Sequence, residues 1–477
     1  MQWPITPRPG QAEVAGQLAR LIENGARVIF SAPTGWGKTH AVLAALIAAK
    51  ATPAIWMARS LTLGNRVAED AALWRLNVFV AAGREKTCPL ASERGEAIHD
   101  YCRYFKHKCP YAKLPSSAPL AAEWRELAAR GKEEGWCPYY AQDLVEADII
   151  VQSYFRRMRP ARAFVVDEAH NLLLPEEREL KLSQLVEAIA ALRARGASTR
   201  LLQRLDRLLH YILVRDGDLD ANLFLEEEDV NEIKYIYLHA LEEGDRRVKP
   251  LLDLTRATAA YIESERIHVF KPAFPHPFKP MLFISATLPP EASTFLQAEA
   301  EVRVPWTIKP KAEIVQDVVT KYEEYDNKMA LRYKKLLIDS AKQHRRVLVF
   351  AASERVARDL RAWVTYEECM PPEGWEGVLL VRARGRFSEG VNLEADAVII
   401  AGAPFLPPSV SERLARAYKS VGHPDPLRAA IDVPMLITTL QCVGRAWRTP
   451  EKTPHVVLAD QRYEKYTSVL ENYLSFH

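Results

Sequence analysis

Two short stretches carry residue types suited to phosphate chemistry. In "SAPTGWGKTH", Ser31 to His40, a Gly-rich turn ends in Lys38 and Thr39. It follows the β-branched and aromatic run "ARVIF" and leads into the Ala/Leu-rich "AVLAALIAAK", so it reads as strand, loop and helix. Backbone N–H groups of such a turn cradle phosphates, helped by the positive end of the following helix. Thr34, Gly35 and Gly37 would line the cradle, Lys38 would reach the β- and γ-phosphates, and the Thr39 hydroxyl would hold Mg²⁺. In "RAFVVDEAHNL" an apolar strand ends in Asp167, Glu168, Ala169 and His170. Carboxylates at the C-terminal end of a strand in an α/β sheet sit at its ligand edge. Asp167 would share the Mg²⁺, and Glu168 would activate an attacking water. Singly, each stretch is compatible with an ordinary turn or a solvated acidic loop. Together they describe a nucleotide-hydrolysing centre.

A third group of chemically able residues lies between them. Four of the six cysteines, Cys88, Cys102, Cys109 and Cys137, fall in one window of 50 residues. Thirteen, six and 27 residues separate successive members, with no compact Cys-x-x-Cys, which argues against a zinc ribbon. Four thiolates at loose spacing suit a [4Fe–4S] cluster as well as a Zn²⁺, and spacing does not choose between them. Beside them, "YCRYFKHKCPYAK" interleaves aromatic and basic residues. Tyr101, Tyr104 and Phe105 could stack on bases while Arg103, Lys106 and Lys108 meet phosphates. Equally, the aromatics could pack around the cysteine group. Cys369 and Cys442 lie far downstream and read as ordinary semi-buried cysteines.

The elements that must position these residues alternate strand and helix. "PMLFISATLPP" places Ser285, Ala286 and Thr287 after a strand, and "RRVLVFAASERVARDL", "ADAVIIAGAPFLPP" and "PHVVLAD" supply further strands toward the C-terminus. "QCVGRAWRTP" sets Gln441, Arg445 and Arg448 in a helical pattern, with the two arginines three apart on one face. Their permanent charge suits a γ-phosphate reached across a cleft. From Glu176 to about His268 the chain is Leu-rich and charged, and "RLLQRLDRLLHYILV" has the spacing of an amphipathic helix. A helical scaffold is expected there.

In their order, these motifs resemble helicases of superfamily 2. "RPGQ" places Arg8 and Gln11 where such motors read adenine, and "RARGRFSEGVNL" resembles a stretch of their second motor domain, with Gly390 in the nucleotide site and Asn392 where Asp is usual. A Gly-Arg-x-x-x-Cys opening and a Cys-Pro-Tyr-Tyr close to the cysteine window are similar to the XPD family, which is related to the DinG-type helicases. That resemblance implies an α/β fold of two RecA-like parallel-sheet motor domains, a small iron–sulfur insertion and a short helical, Arch-like insertion. The implied boundaries are 1–83, 146–175 and 274–307 for the first motor, 84–145 for the iron–sulfur domain, 176–273 for the Arch-like insertion and 308–477 for the second motor. It further implies ATP, Mg²⁺ and a [4Fe–4S] cluster held by Cys88, Cys102, Cys109 and Cys137, with His107 the alternative to Cys109. Lys38, Asp167, Glu168, His170, Gln441, Arg445 and Arg448 take the catalytic roles, the second lobe supplying Arg445 to ATP bound on the first.

The implied activity is an ATP-dependent DNA helicase moving 5′→3′ on single-stranded or forked DNA, in DNA repair, as a monomer. Two alternatives stand beside it: a DinG-like motor acting on RNA–DNA hybrids or protein–DNA complexes, and a DNA-binding scaffold with a vestigial ATPase. Lys38, Asp167, Glu168 and Arg445, all present, speak against the scaffold. Departures from the family pattern are Ala32, Trp36, "ARSLTLGN" and Asn392.

Bulk composition agrees with these expectations without selecting them. The 477 residues suggest roughly three domains. The formal net charge of +3 neither demands nor excludes nucleic acid, because a sum hides local patches. With no unbroken apolar run of about 18 residues, no membrane span is expected. "MQWPITPRPG" lacks a charged start and an apolar stretch, so no secretory signal is expected either. The expected location is intracellular, cytoplasmic or nuclear, where clustered cysteines more often bind metal than form disulfides.

Overall fold

The computed structural model describes residues 3–33, 35–119, 123–273, 277–385, 393–447 and 452–476. Short runs such as "RVIFS", "AIWMA", "AFVV" and "MLFIS" are buried along their whole length. Unbroken apolar strands are what a parallel sheet covered on both faces requires. Seven strands accordingly form one parallel sheet in the order Ala300–Arg303, Arg27–Ser31, Met281–Ser285, Ala163–Val166, Ala54–Ala58, Ile149–Ser153, Val78–Val80. Its register sets Ser31 beside Ser285 and Phe283 beside Val166, so three strand ends meet at one edge. A second seven-stranded parallel sheet is assembled from strands between Lys311 and Phe476, with Arg346–Ala351 and Ala397–Ala401 at its centre.

Two insertions leave the first sheet. One follows Val78–Val80 and returns at Ile149–Ser153, and it holds short helices, among them Ile98–Phe105 and Trp124–Glu134. The other lies between Ala163–Val166 and Met281–Ser285 and contains the helices Leu182–Ala194, Thr199–Val214, Glu227–Glu242 and Lys249–Thr255. Thr199–Val214 buries Leu201, Leu205, Leu208 and Ile212, the stripe that its Leu spacing predicts. This insertion also carries a four-stranded antiparallel sheet, Glu176–Lys181, Arg266–Lys271, Ala259–Glu263 and Gly217–Leu219 in spatial order, that no sequence pattern announced. The strand "EERELK" shows no apolar alternation. Ladder bonds and diagonal ion pairs, Glu179 with Arg266 and Glu177 with His268, hold it instead.

The two insertions share one core. Ala97, Ile98 and Tyr101 of the first are buried among Leu205, Tyr237 and Leu241 of the second, with Cys88 and Phe105 packed at its edge. Tyr101 and Phe105 are therefore packing residues, and Tyr104 is left half-exposed. A polar knot ties the same seam. Asp100 accepts from the Tyr237 hydroxyl at 2.6 Å and from Lys249 Nζ at 3.1 Å, and Lys249 also meets Asp253 at 3.2 Å.

The lobes are joined by apolar packing as well. Ile29, Phe164, Phe283 and Phe295 of the first share a cluster with Val410, Leu414, Val433 and Ile437 of the second. The helix Asp432–Ala446 turns its remaining apolar residues, including Met435, Leu436 and Leu440, into the second lobe's own core. The stretch Pro426–Ala446 is long and apolar enough to cross a membrane by composition, yet 72% of its apolar window is buried inside the protein. A helix apolar all round is one buried on both sides, as this one is.

Removing the Lys249 ammonium by Lys249→Ala would take a charged donor from both carboxylates at the seam, leaving Asp100 to Tyr237 and Asp253 to Arg178. We expect a loss of about 2–3 kcal/mol in the unfolding free energy of the insertions, measured by denaturant titration with a probe near Tyr237.

Candidate active site

The edge where Ser31, Ser285 and Asp167 end their strands holds the phosphate loop and the acidic pair. Gly35 and Gly37 have φ of 77° and 91°, left-handed values that an L side chain rarely takes, so the turn depends on glycine at both. A Cβ on Gly37 would also lie 2.2 Å from Gln11 Nε2. Gln11 is buried and spans the site: its Nε2 donates to the Trp36 carbonyl at 2.7 Å and to the Gly37 carbonyl at 3.3 Å, and its Oε1 accepts from Arg8 N at 2.6 Å. The Arg8–Gln11 segment is thereby fixed against the loop. Trp36 packs edge-on to Phe30 with ring centres 5.9 Å apart, so its bulk is taken up by the hydrophobic core behind the loop.

Lys38 opens the helix Lys38–Ala48, with Thr39 next to it on the first turn. Its Nζ donates to the Ala32 carbonyl at 2.9 Å and the Pro33 carbonyl at 3.2 Å. Burial lowers its pKa, opposed by the charges of Glu168 and Asp167. Asp167 stands at the other side. Burial pushes its pKa up to about 6, and the neighbouring Glu168 carboxylate adds to the shift. Trp56 Nε1 and the Glu168 amide donate to its carboxylate at 3.3 and 2.9 Å. A crowded carboxyl pair facing one lysine is a site short of positive charge, and a divalent cation would supply it.

Glu168 sits at φ 50°, ψ 48°, a left-handed backbone uncommon outside glycine. Its carbonyl accepts from Asn171 Nδ2 at 2.9 Å and from the Tyr154 hydroxyl at 3.3 Å, and Tyr154 also donates to the Asp167 carbonyl. His170 is buried with Nδ1 2.7 Å from Ser285 Oγ and 3.3 Å from Glu168 Oε2. Ser285 Oγ in turn accepts from Thr287 N at 3.2 Å. One histidine thus bridges the acidic quartet and the Ser285–Thr287 motif.

Tyr154, Asn171 and Trp56 were not singled out from sequence. Only Asn171, directly after the quartet, left a signal; Tyr154 enters from a strand two places away in the sheet.

Gln441 and Arg445 lie on the helix Asp432–Ala446. Gln441 lines a cleft of about 1230 Å³ between the lobes and the antiparallel sheet, and its buried Nε2 has no hydrogen-bond partner among the described residues. Arg445 follows one turn on, half-buried, its carbonyl accepting from Leu393 N at 3.2 Å. Thr34, Gly390, Asn392 and Arg448 lie outside the described residues.

The four clustered cysteines line one small cavity together with Arg84, Lys106 and Tyr140. Burial pushes the Cys88 thiol up to about 11, and the thiols of Cys137, Cys109 and Cys102 push it further in the same direction; burial also raises Cys137. Such thiols ionise only when a cation shares the cavity. Among the described residues, no group of three His, Cys, Asp or Glu is drawn together for a single metal ion. His107 is exposed and does not line the cavity, whereas Cys109 does. The walls are clamped by stacking: Tyr139 lies between the guanidinium groups of Arg84 at 4.1 Å and Arg156 at 4.2 Å.

Comparison with known proteins extends these observations. Residues 311–475 match the family model of the helicase C-terminal domain. Over 96% of each chain, the protein is 22% identical to the ATP-dependent DNA helicase XPD of Sulfolobus acidocaldarius. Among solved structures, an XPD helicase superposes with a TM-score of 0.72 at 20% identity, covering 99% of this chain and 100% of the other. Xpd4 of S. tokodaii gives 0.61 at 18% identity, covering 98% and 100%. The two parallel sheets and both insertions thus belong to a fold shared with these proteins along the full chain.

The Asp167 carboxyl makes a pH prediction. Its pKa rises from the ordinary range near 4 to about 6 on folding, so the folded protein holds that proton more tightly than the unfolded chain. Stability therefore falls as pH rises through that window. Asp167→Asn, a neutral mimic, is expected to melt higher than wild type at about pH 7 without nucleotide, and to lose that advantage below about pH 4.

Proposed function

We propose that this XPD helicase homologue is an ATP-dependent DNA helicase that moves 5′→3′ on single-stranded DNA and opens forked duplex. The observation that carries the reading is the gathering of Lys38, Asp167, Glu168 and His170 at one sheet edge, beside a helix from the other lobe that bears Gln441 and Arg445. In this reading Lys38 and the loop amides hold the phosphates, Thr39 and Asp167 hold Mg²⁺, and Glu168 takes the proton of the attacking water. Arg8 and Gln11 orient the base, and Arg445 stabilises charge at the γ-phosphate from across the cleft. In other hydrolases an arginine supplied this way contributes about 10³–10⁵ in rate. Because the site spans two lobes, turnover and lobe movement are linked, and that linkage drives the motor along a strand.

The cysteine cavity supports a [4Fe–4S] cluster as the resident group. Four thiols line one cavity, and a cluster takes one thiolate at each corner. The bound cluster would crosslink a segment too small to hold its own core. The reading makes the protein a monomeric, intracellular motor in DNA repair.

Lys38→Ala should abolish hydrolysis, Glu168→Gln should bind ATP without turnover, and Arg445→Ala should bind ATP and hydrolyse it slowly. Near-normal strand-stimulated hydrolysis by Arg445→Ala would refute the two-lobe site. Cys88→Ser, Cys109→Ser and Cys137→Ser should lose iron and unwinding while keeping substantial ATPase; Cys442→Ser and His107→Ala should keep the iron, measured by metal analysis and visible absorption.

A further inference from the structure

The backbone of the acidic pair is held by two side chains that reach it from the inter-lobe cleft. Tyr154 is buried, 6% exposed, and its hydroxyl donates to the carbonyls of Asp167 and Glu168. The next residue, Phe155, is 79% exposed and lines the cleft. Asn171 Nδ2 donates to the Glu168 carbonyl at 2.9 Å, and its Oδ1 accepts from Arg59 Nη1 at 2.6 Å. Arg59 is exposed and lines the same cleft. Two residues facing the cleft are thus each one step from the Glu168 peptide, Phe155 through its neighbour Tyr154 and Arg59 through Asn171.

The peptide at the end of these links has reason to need them. Glu168 holds a left-handed backbone, which a non-glycine residue keeps only where its surroundings impose it. Its carbonyl also accepts from the Asn171 amide at 3.0 Å, so three donors compete for one oxygen with two lone pairs. A small displacement of either side chain redistributes those bonds. Phosphate drawn to Arg59 competes with Asn171 for the guanidinium, and a base stacked on Phe155 pulls at the chain next to Tyr154.

We propose that Tyr154 and Asn171 are positioning residues that make the aim of the Glu168 carboxylate depend on a nucleic-acid strand in the cleft. The proposal rests on the helicase reading above. It is distinct from the His170–Ser285 bridge, which runs through the His170 ring to the Ser285 hydroxyl and the Glu168 carboxylate rather than through the Glu168 carbonyl.

The test uses the full-length protein and oligothymidylate as the strand. Tyr154→Phe keeps the ring and removes only the hydroxyl. We expect its kcat at saturating oligothymidylate to fall about three- to tenfold, with KM for ATP and Kd for the strand within about twofold of wild type. Phe155→Ala should weaken strand binding about tenfold and also lower kcat at saturating strand about three- to tenfold, because its link to Tyr154 is lost, and Phe155→Trp should restore both. Asn171→Ala should repeat the Tyr154→Phe pattern and serves in its place if that variant does not fold. An unaltered kcat in both, or a loss of kcat matched by losses in KM and Kd, would overturn the relay. A wild-type ATPase indifferent to the strand would instead refute the helicase reading, and the relay with it.

Discussion

The parallel pairing of Arg27–Ser31, Met281–Ser285 and Ala163–Val166 is the constraint on which the rest depends. Parallel strands bring all their C-terminal ends to one edge, and three segments remote in sequence deliver their chemistry there: the phosphate loop, the Ser285–Thr287 motif and the acidic quartet. The same geometry decides where insertions can grow. Each leaves the sheet beyond the C-terminal end of a strand, so both arise at the edge that carries the site. Their shared core and the Asp100–Lys249–Asp253 knot then make one body of two segments separated by two strands of the first sheet.

What the sequence disclosed were features that are local in the chain. A Gly-rich turn between an apolar strand and an Ala-rich helix declares itself within ten residues, as does an acidic pair closing a strand. The Leu stripe of Thr199–Val214 was equally plain. What stayed hidden depends on neighbours far away. Tyr154 matters because its strand lies two places from the acidic one, and Trp56 matters because its strand is the acidic one's neighbour, from which its indole donates to Asp167. The charged strand Glu176–Lys181 exists through its partner rather than its own pattern. The aromatic residues of the cysteine window were readable two ways. Burial decided for two of them, Tyr101 and Phe105, by giving them a core to fill.

The cleft itself is close to electrically balanced. Arg361 pairs with Glu354 and Glu367, Arg382 with Glu354 and Glu368, and Arg266 with Glu179. Such half-exposed pairs contribute little to stability, of order 0–1 kcal/mol each. Their effect is selective: a polyanion entering the cleft must displace carboxylates to gain any of these three arginines. Engagement then favours ligands offering several phosphates at once, and long-range attraction is weaker than the arginine content alone would suggest.

The helix Asp432–Ala446 has an apolar face in each lobe's core, and the Tyr473 hydroxyl, from the far end of the chain, donates to the Leu288 carbonyl of the first lobe at 2.5 Å. A seam greased on both sides can slide but resists gaping, because parting it would expose Phe295, Val410 and Leu414 to water together. Interdigitated side chains allow gliding of an ångström or two before they must re-seat. The relative movement open to the two lobes is therefore metered by the side chains along this one helix.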